Sequence, residues 1–267
     1  MIFSYKSQVC KFGIACIILL GCFIVNGQAQ QEEGWIPLFN GKDLNGWTVK
    51  IAKHPMNENY NNTFYVEDSI LKVGYDAYEK FDMQFGHLFT NLPYSHYILR
   101  LDYMFLGKGL ADAPSWTNFN SGVMLHAQPP QSMRVEQSFP VCIEAQFLSE
   151  GTTAGKQTAN AVSPGTHLEF DGKLSTQHIT DSKSKLYPLN EWVSFEVEVH
   201  GYGTIIHRVN GEEVIKYANP VLDESDRDAK YLLDMGANKK VSQGFIALQA
   251  EGQPVWFKNI RIKVLED

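Results

Sequence analysis

The chain has 267 residues, a formal net charge of -7 and a hydrophobic share of 44%, enough to bury a sizeable core. Its 30 acidic and 23 basic residues are dispersed, which argues against nucleic acid as a partner. Past the first 29 residues, no apolar stretch approaches the ~20 residues a membrane-spanning helix needs.

Residues 1–29 read as a secretory signal. Lys6 and Lys11 give a basic start, Ile14 to Val25 is apolar, and Gly27-Gln28-Ala29 offers small residues for cleavage after Ala29. This predicts an exported protein, periplasmic or extracellular, with one domain over 30–267. A second reading stays open: Leu19-Leu20-Gly21-Cys22 fits a lipobox, and an acylated Cys22 would tie the chain to a membrane. Cys10, Cys16 and Cys22 all lie in this leader. After cleavage Cys142 stands alone, no internal disulfide can form, and the fold must rest on its core.

After residue 35 the hydrophobic period is two rather than 3.6. Phe64 to Val66 and Ile70 to Val73 flank Glu67-Asp68-Ser69, a predicted hairpin turn. Tyr97 to Leu106 alternates Leu99, Leu101, Tyr103 and Phe105 against Arg100, Asp102 and Met104. Phe195, Val197 and Val199 alternate with charged residues, and Asn210-Gly211 between two apolar runs is a strong hairpin signal. Many short strands with turns between them predict a two-sheet sandwich, with one short helix around Asp223 to Met235. Residues 107–118 and the Gly-, Ser- and Thr-rich stretch 149–190 read as long loops.

Three strands carry polar groups at one parity. Asn120, Gly122, Met124 and His126 alternate with Val123 and Leu125. Cys142, Glu144 and Gln146 alternate with Ile143, Ala145 and Phe147. Gln249 and Glu251 alternate with Leu248 and Ala250. Alternate side chains leave a strand on opposite faces, so each set points together. These could be the solvated outer faces of ordinary strands. Asn, Gln, His and Glu without Lys suit a hydrogen-bonding pocket for a polyol better. Trp47 and Trp256 are predicted core residues, and Trp116, in a loop, is the candidate for stacking on a sugar ring.

Three ordered motifs frame these strands. The first runs from Leu38-Phe39-Asn40-Gly41-Lys42-Asp43-Leu44-Asn45-Gly46-Trp47. The second is Asn120-Ser121-Gly122-Val123. The third is Gly244-Phe245-Ile246-Ala247-Leu248-Gln249 followed by Val255-Trp256-Phe257-Lys258-Asn259-Ile260. Together they resemble the 3-keto-disaccharide hydrolase family over roughly residues 35–265. The resemblance implies a concanavalin-like, all-β jelly roll of two antiparallel sheets, with the site on a concave face. It also implies a carbohydrate substrate oxidised at C3 by a separate oxidoreductase. Oxidation at C3 acidifies the C2 proton, so one base can remove it and the enolate can expel the C1 aglycone, with water then adding or the unsaturated product leaving. Glu144, Glu251 and His126 could supply base or acid. Asn120, Gln146 and Gln249 could hold hydroxyls or the keto oxygen.

Many family members carry His where this chain has Glu251, so it resembles a subset with Leu-Gln-Ala-Glu. A second match to that subset is Ser163-Pro164-Gly165-Thr166, followed by Asp171-Gly172-Lys173 and His178, which makes His178 a candidate loop residue over the site. No cofactor is called for. A divalent ion held by His126, Glu144, His178 and Glu251 stays open, although none shows a local ligand spacing. Two rivals remain. A carbohydrate-binding module of the same fold could work with aromatics and amides alone. A conventional glycoside hydrolase of this fold class carries further acids on the Glu144 strand; a retaining one needs two carboxyl groups about 5–5.5 Å apart, and here the middle position is Gln146.

Overall fold

The computed structural model describes Met1 and residues 33–266, so the predicted signal and Cys22 lie outside the described residues. Seventeen strands and one α-helix follow in order: β1 (Ile36–Pro37), β2 (Trp47–Ile51), β3 (Phe64–Glu67), β4 (Ile70–Val73), β5 (Gly86–Thr90), β6 (His96–Phe105), β7 (Asn120–Ala127), β8 (Ile143–Leu148), β9 (Asn160–Val162), β10 (Thr166–Phe170), β11 (Lys173–Ser175), β12 (Ile179–Thr180), β13 (Val193–His200), β14 (Thr204–Val209), β15 (Glu212–Leu222), α1 (Arg227–Asp234), β16 (Phe245–Ala250) and β17 (Val255–Val264).

They form two antiparallel sheets, as the all-β jelly-roll expectation requires. The larger runs β11-β10-β15-β14-β13-β6-β17-β4-β3, with β1 also on β17; the smaller runs β12-β9-β8-β7-β16-β5-β2. The predicted hairpins form. Asp68 and Ser69 take φ of 54° and 60° between β3 and β4, and Asn210 and Gly211 take 49° and 85° between β14 and β15. Positive φ at both central residues gives a turn whose twist matches the strands it joins. Between the sheets lies one core, in which Leu88, Val123, Leu125, Ile143, Ala145, Phe147 and Leu248 of the smaller sheet meet Leu71, Leu99, Leu101, Tyr103, Phe195 and Val197 of the larger. Tyr103 and Phe147 stack across it, centroids 4.1 Å apart.

Three expectations are corrected. The stretch 149–190 is not one loop but holds β9 to β12, none longer than five residues. Trp256 does not enter the core; it is half-buried, with the Lys72 ammonium 4.2 Å from its ring centroid, whereas Trp47 is buried as expected. The third concerns His126. The β7–β16 register shifts between Phe245 and Ala247, so β7 carries an extra residue there, and His126 has φ of 49°. This bulge breaks the alternation. Its Nε2–H donates to the carbonyl of Gly201, 3.0 Å away in the β13–β14 turn of the other sheet, and its ring meets Tyr97 edge-on. Gly244 lets the bulge approach: a Cβ there would sit 2.3 Å from the His126 carbonyl carbon.

Candidate active site

The outer face of the smaller sheet is not open to solvent along its length. Its upper part carries Phe89, Met124, Cys142 and Ala247, and Met133 packs over them from the β7–β8 connection, making a second small core. That connection is tied to itself: Gln137 Nε2 donates to Gln128 Oε1 at 2.8 Å, and the Val141 amide donates to the same oxygen at 2.7 Å. Its Val135 carbonyl accepts from the buried Lys50 ammonium of β2 at 3.2 Å.

What stays accessible is a cavity of about 360 Å³. Glu144 and Gln146 enter it from β8, and Glu251 from the turn after β16. Trp116 and Phe139 form an aromatic wall, with Trp116 stacked on Phe85 at 5.8 Å. His178, exposed on the segment before β12, closes the far side; the Ser163 amide holds its backbone by donating to its carbonyl at 2.9 Å. Phe139, Pro164 and His178 also border a second, more polar cleft of about 360 Å³ that reaches Thr166, Asp223 and Arg227.

The carboxylates are held differently. Glu251 is followed by Gly252, whose amide donates to Tyr75 Oη at 2.7 Å, and by Gln253, whose side chain donates to the Leu106 carbonyl at 2.6 Å; the turn is pinned on both sides. Glu251 is buried and its Oε2 has no hydrogen-bond partner. Glu144 lies over Gly122, where a Cβ would come within 2.5 Å of its Oε1. Burial pushes the pKa of Glu144 up; burial and then the Glu144 charge push Glu251 up as well. Desolvation disfavours two charges on one face, so the pair keeps a proton where free carboxyls would have lost theirs.

The cavity thus gathers Glu144, Gln146, Glu251, Trp116 and His178. Asn120 and Gln249 share the face but do not line the cavity. The Asn120 amide donates to the Trp116 carbonyl at 3.1 Å, steadying the aromatic wall, and its Oδ1 has no partner. The Asn160 amide donates to Gln146 Oε1 at 3.1 Å, which leaves the Gln146 amide group to face the cavity. His126 lies away from this group, and burial lowers its pKa to about 4. Among the described residues no three His, Cys, Asp or Glu side chains come close enough to hold a metal ion, so the four-residue ion site considered from sequence is not assembled. Sequence reading missed Phe139; nothing periodic marks it, because it sits in a connection between strands.

Fold and pocket together define the class: a β-sandwich protein with a buried carboxylate pair on the outer face of one sheet. Within that class the chain belongs to the 3-keto-alpha-glucoside-1,2-lyase-like domain family, whose profile matches residues 34–263. It is 24% identical over 250 residues to a 3-keto-disaccharide hydrolase of Bacteroides thetaiotaomicron, covering 88% of this chain and 79% of that protein. The chain is also similar to two crystal structures from Parabacteroides distasonis, each named a putative glycosyl hydrolase. One has a TM-score of 0.52 at 19% identity, covering 86% of this chain and 99% of that one; the other has 0.49 at 21%, covering 88% and 95%. Family and relative together make this a hydrolase-like carbohydrate enzyme.

Proposed function

We propose that this protein is an exported enzyme that cleaves 3-keto-glycosides by removing the C2 proton. The observation that carries the reading is the Glu144–Glu251 pair, two buried carboxyls with raised pKa values beside one cavity. Two carboxyls that disfavour ionising together can share one proton, and an elimination uses one base and one acid.

Glu144, whose direction is fixed by the core residues on either side of it, is the base. It takes the proton from C2, and the electron pair forms the enolate with its charge on the C3 oxygen. The enolate then re-forms the ketone as the C1–oxygen bond breaks, leaving a C1–C2 double bond. The electron pair of that broken bond goes to the aglycone oxygen, which takes the proton held by Glu251. Water adding at C1 gives its proton to Glu251 while Glu144 returns a proton to C2, which completes hydrolysis and resets the pair. Gln146 and His178 are placed to hold hydroxyls, and Trp116 offers a face to the sugar ring. The adjoining polar cleft, which shares Phe139, Pro164 and His178 with the first, suits the aglycone. One positioned base supplies roughly 10²–10⁴-fold in rate.

The test is an assay on a 3-keto-glucoside beside its unoxidised parent. The keto substrate should be cleaved and the parent left intact. Efficient cleavage of the parent would reject the keto-assisted route in favour of conventional hydrolysis.

A further inference from the structure

A second set of polar groups lies on the same face of the smaller sheet, outside the open cavity. His87 of β5 stands directly opposite Gln249 of β16, and Lys50 of β2 stands opposite His87 on its other side. One step on from the Leu248–Val123 pair, Gln249 meets Gly122, and Gly122 pairs with Gln146. Directly opposed residues share a face, so Lys50, His87, Gln249 and Gln146 form one row, with strands about 4.8 Å apart. Gly122 adds no side chain of its own between Gln249 and Gln146, and the Glu144 carboxylate lies over it there.

His87 and Gln249 are fully buried, and neither the two ring nitrogens of His87 nor the two amide atoms of Gln249 have a hydrogen-bond partner. Each unpaired buried polar group costs about 1–3 kcal/mol. Four on two facing side chains is a cost that packing alone does not explain. Lys50, by contrast, is spent on the carbonyls of Ile51, His54 and Val135. The group between this row and the cavity is Phe139. Its ring lies 6.1 Å from His87 and 4.6 Å from Phe85, it is half-buried, and it also lines the cavity that holds Glu144.

We infer that His87 and Gln249 form an inner wall of the substrate site, receiving the C3 oxygen of the keto-sugar when the Phe139 ring swings aside. The inference rests on the reading of the protein as a 3-keto-glycoside enzyme. Removal of the C2 proton puts negative charge on the C3 oxygen, which needs donors already aimed at it. Glu144 and Glu251 are engaged with the C2 proton and the aglycone oxygen, so the donors for the C3 oxygen must come from elsewhere on the row. Burial, and then the Lys50 ammonium, hold the His87 pKa down at about 3, so the ring is neutral with one N–H to give. Gln249 adds an amide donor, and the buried Lys50 charge on the next strand favours an anion there.

Two measurements test this. The first is kcat and KM on a 3-keto-glucoside for His87→Ala and His87→Gln. Loss of one such donor should cost on the order of 100-fold in kcat in His87→Ala, with a smaller change in KM. His87→Gln, which restores an N–H, should recover about tenfold of it. A purely structural histidine would not show that split or that rescue. The second is carbethoxylation of His87 by diethyl pyrocarbonate, read by peptide mass. His87 should be protected in the wild type, reactive in Phe139→Ala, and protected again when a 3-keto-glucoside saturates Phe139→Ala/Glu144→Gln. Wild-type kcat in His87→Ala, or an unreactive His87 in Phe139→Ala, overturns the inference even in an active enzyme. An inactive wild type would instead reject the enzymatic reading and with it the C3 contact. If His87→Ala does not fold, His87→Gln and the labelling still decide.

Discussion

Glu144 has its direction set by its neighbours. Ile143 and Ala145 are locked in the core, so the carboxylate between them can only face outward. Replacing it with Gln keeps shape and polarity but removes the base, and kcat on a 3-keto-glycoside should fall at least about 100-fold with folding intact. Glu251→Gln should fall similarly if it is the acid, and little if it only binds a hydroxyl. The pair also ties stability to pH. Its folded pKa values lie above the ordinary carboxylate value of 4.5, so the folded state binds more protons than the unfolded one once pH passes that value. Stability from these two groups is fully present below 4.5 and drains away as pH rises through the raised values. Chemical denaturation should therefore show Glu144→Gln gaining on the wild type from pH 5 to pH 9; an unchanged difference would mean the pair is not strained by burial. His126→Ala should do the reverse of Glu144→Gln. It removes the bond to Gly201 and a buried ring, a loss of about 1–3 kcal/mol in stability, while kcat stays within about twofold.

Among the elements, β7 is where sequence and structure part. Parity placed Glu144, Gln146 and Gln249 on one face correctly, because β8 and β16 run without interruption through those residues, and Glu251, one step past the end of β16, still enters the same cavity as Glu144. It failed at His126, since a bulge adds one residue and one residue is a full reversal of face. Nothing in Leu125-His126-Ala127 marks that bulge; the room for it comes from Gly244, just before the neighbouring strand β16. Strands β9 to β12 escaped notice because two to five residues are too few to show a period. His87 left a fainter trace: in Gly86-His87-Leu88-Phe89 it takes the parity of Phe89, one polar residue in an apolar strand. Two element-level changes follow. Gly122→Ala would force the Glu144 side chain off its resting place and press on the Ala145 carbonyl of the neighbouring strand, so activity should drop at least about tenfold and Tm should fall with it. Helix α1 starts at Asp226, whose carboxylate accepts from the amides of Asp228 and Ala229 at 2.9 and 2.8 Å. Asp226→Ala should cost about 1 kcal/mol, read as a lowered Tm.

At the scale of the whole molecule, the sandwich is assembled from both ends of the chain: β1 pairs with β17, and β2 shares a sheet with β16. That is why the motifs near the two termini carried so much of the family resemblance. Export is proposed from the leader alone. Mass spectrometry of the secreted form should find a chain beginning near Gln30; an acylated N-terminal Cys22 would establish the anchored form instead. Of the four cysteines in the sequence, Cys142 is the one within the described residues. Its thiol is fully buried, 3.4 Å from the Met124 sulfur under the Met133 cover. No alkylating reagent can reach it in the closed molecule. In the processed protein the labelling rate of this one sulfur is thus a clock for how often the β7–β8 connection lifts from the sheet, and a bound sugar that clasps the same connection should slow it.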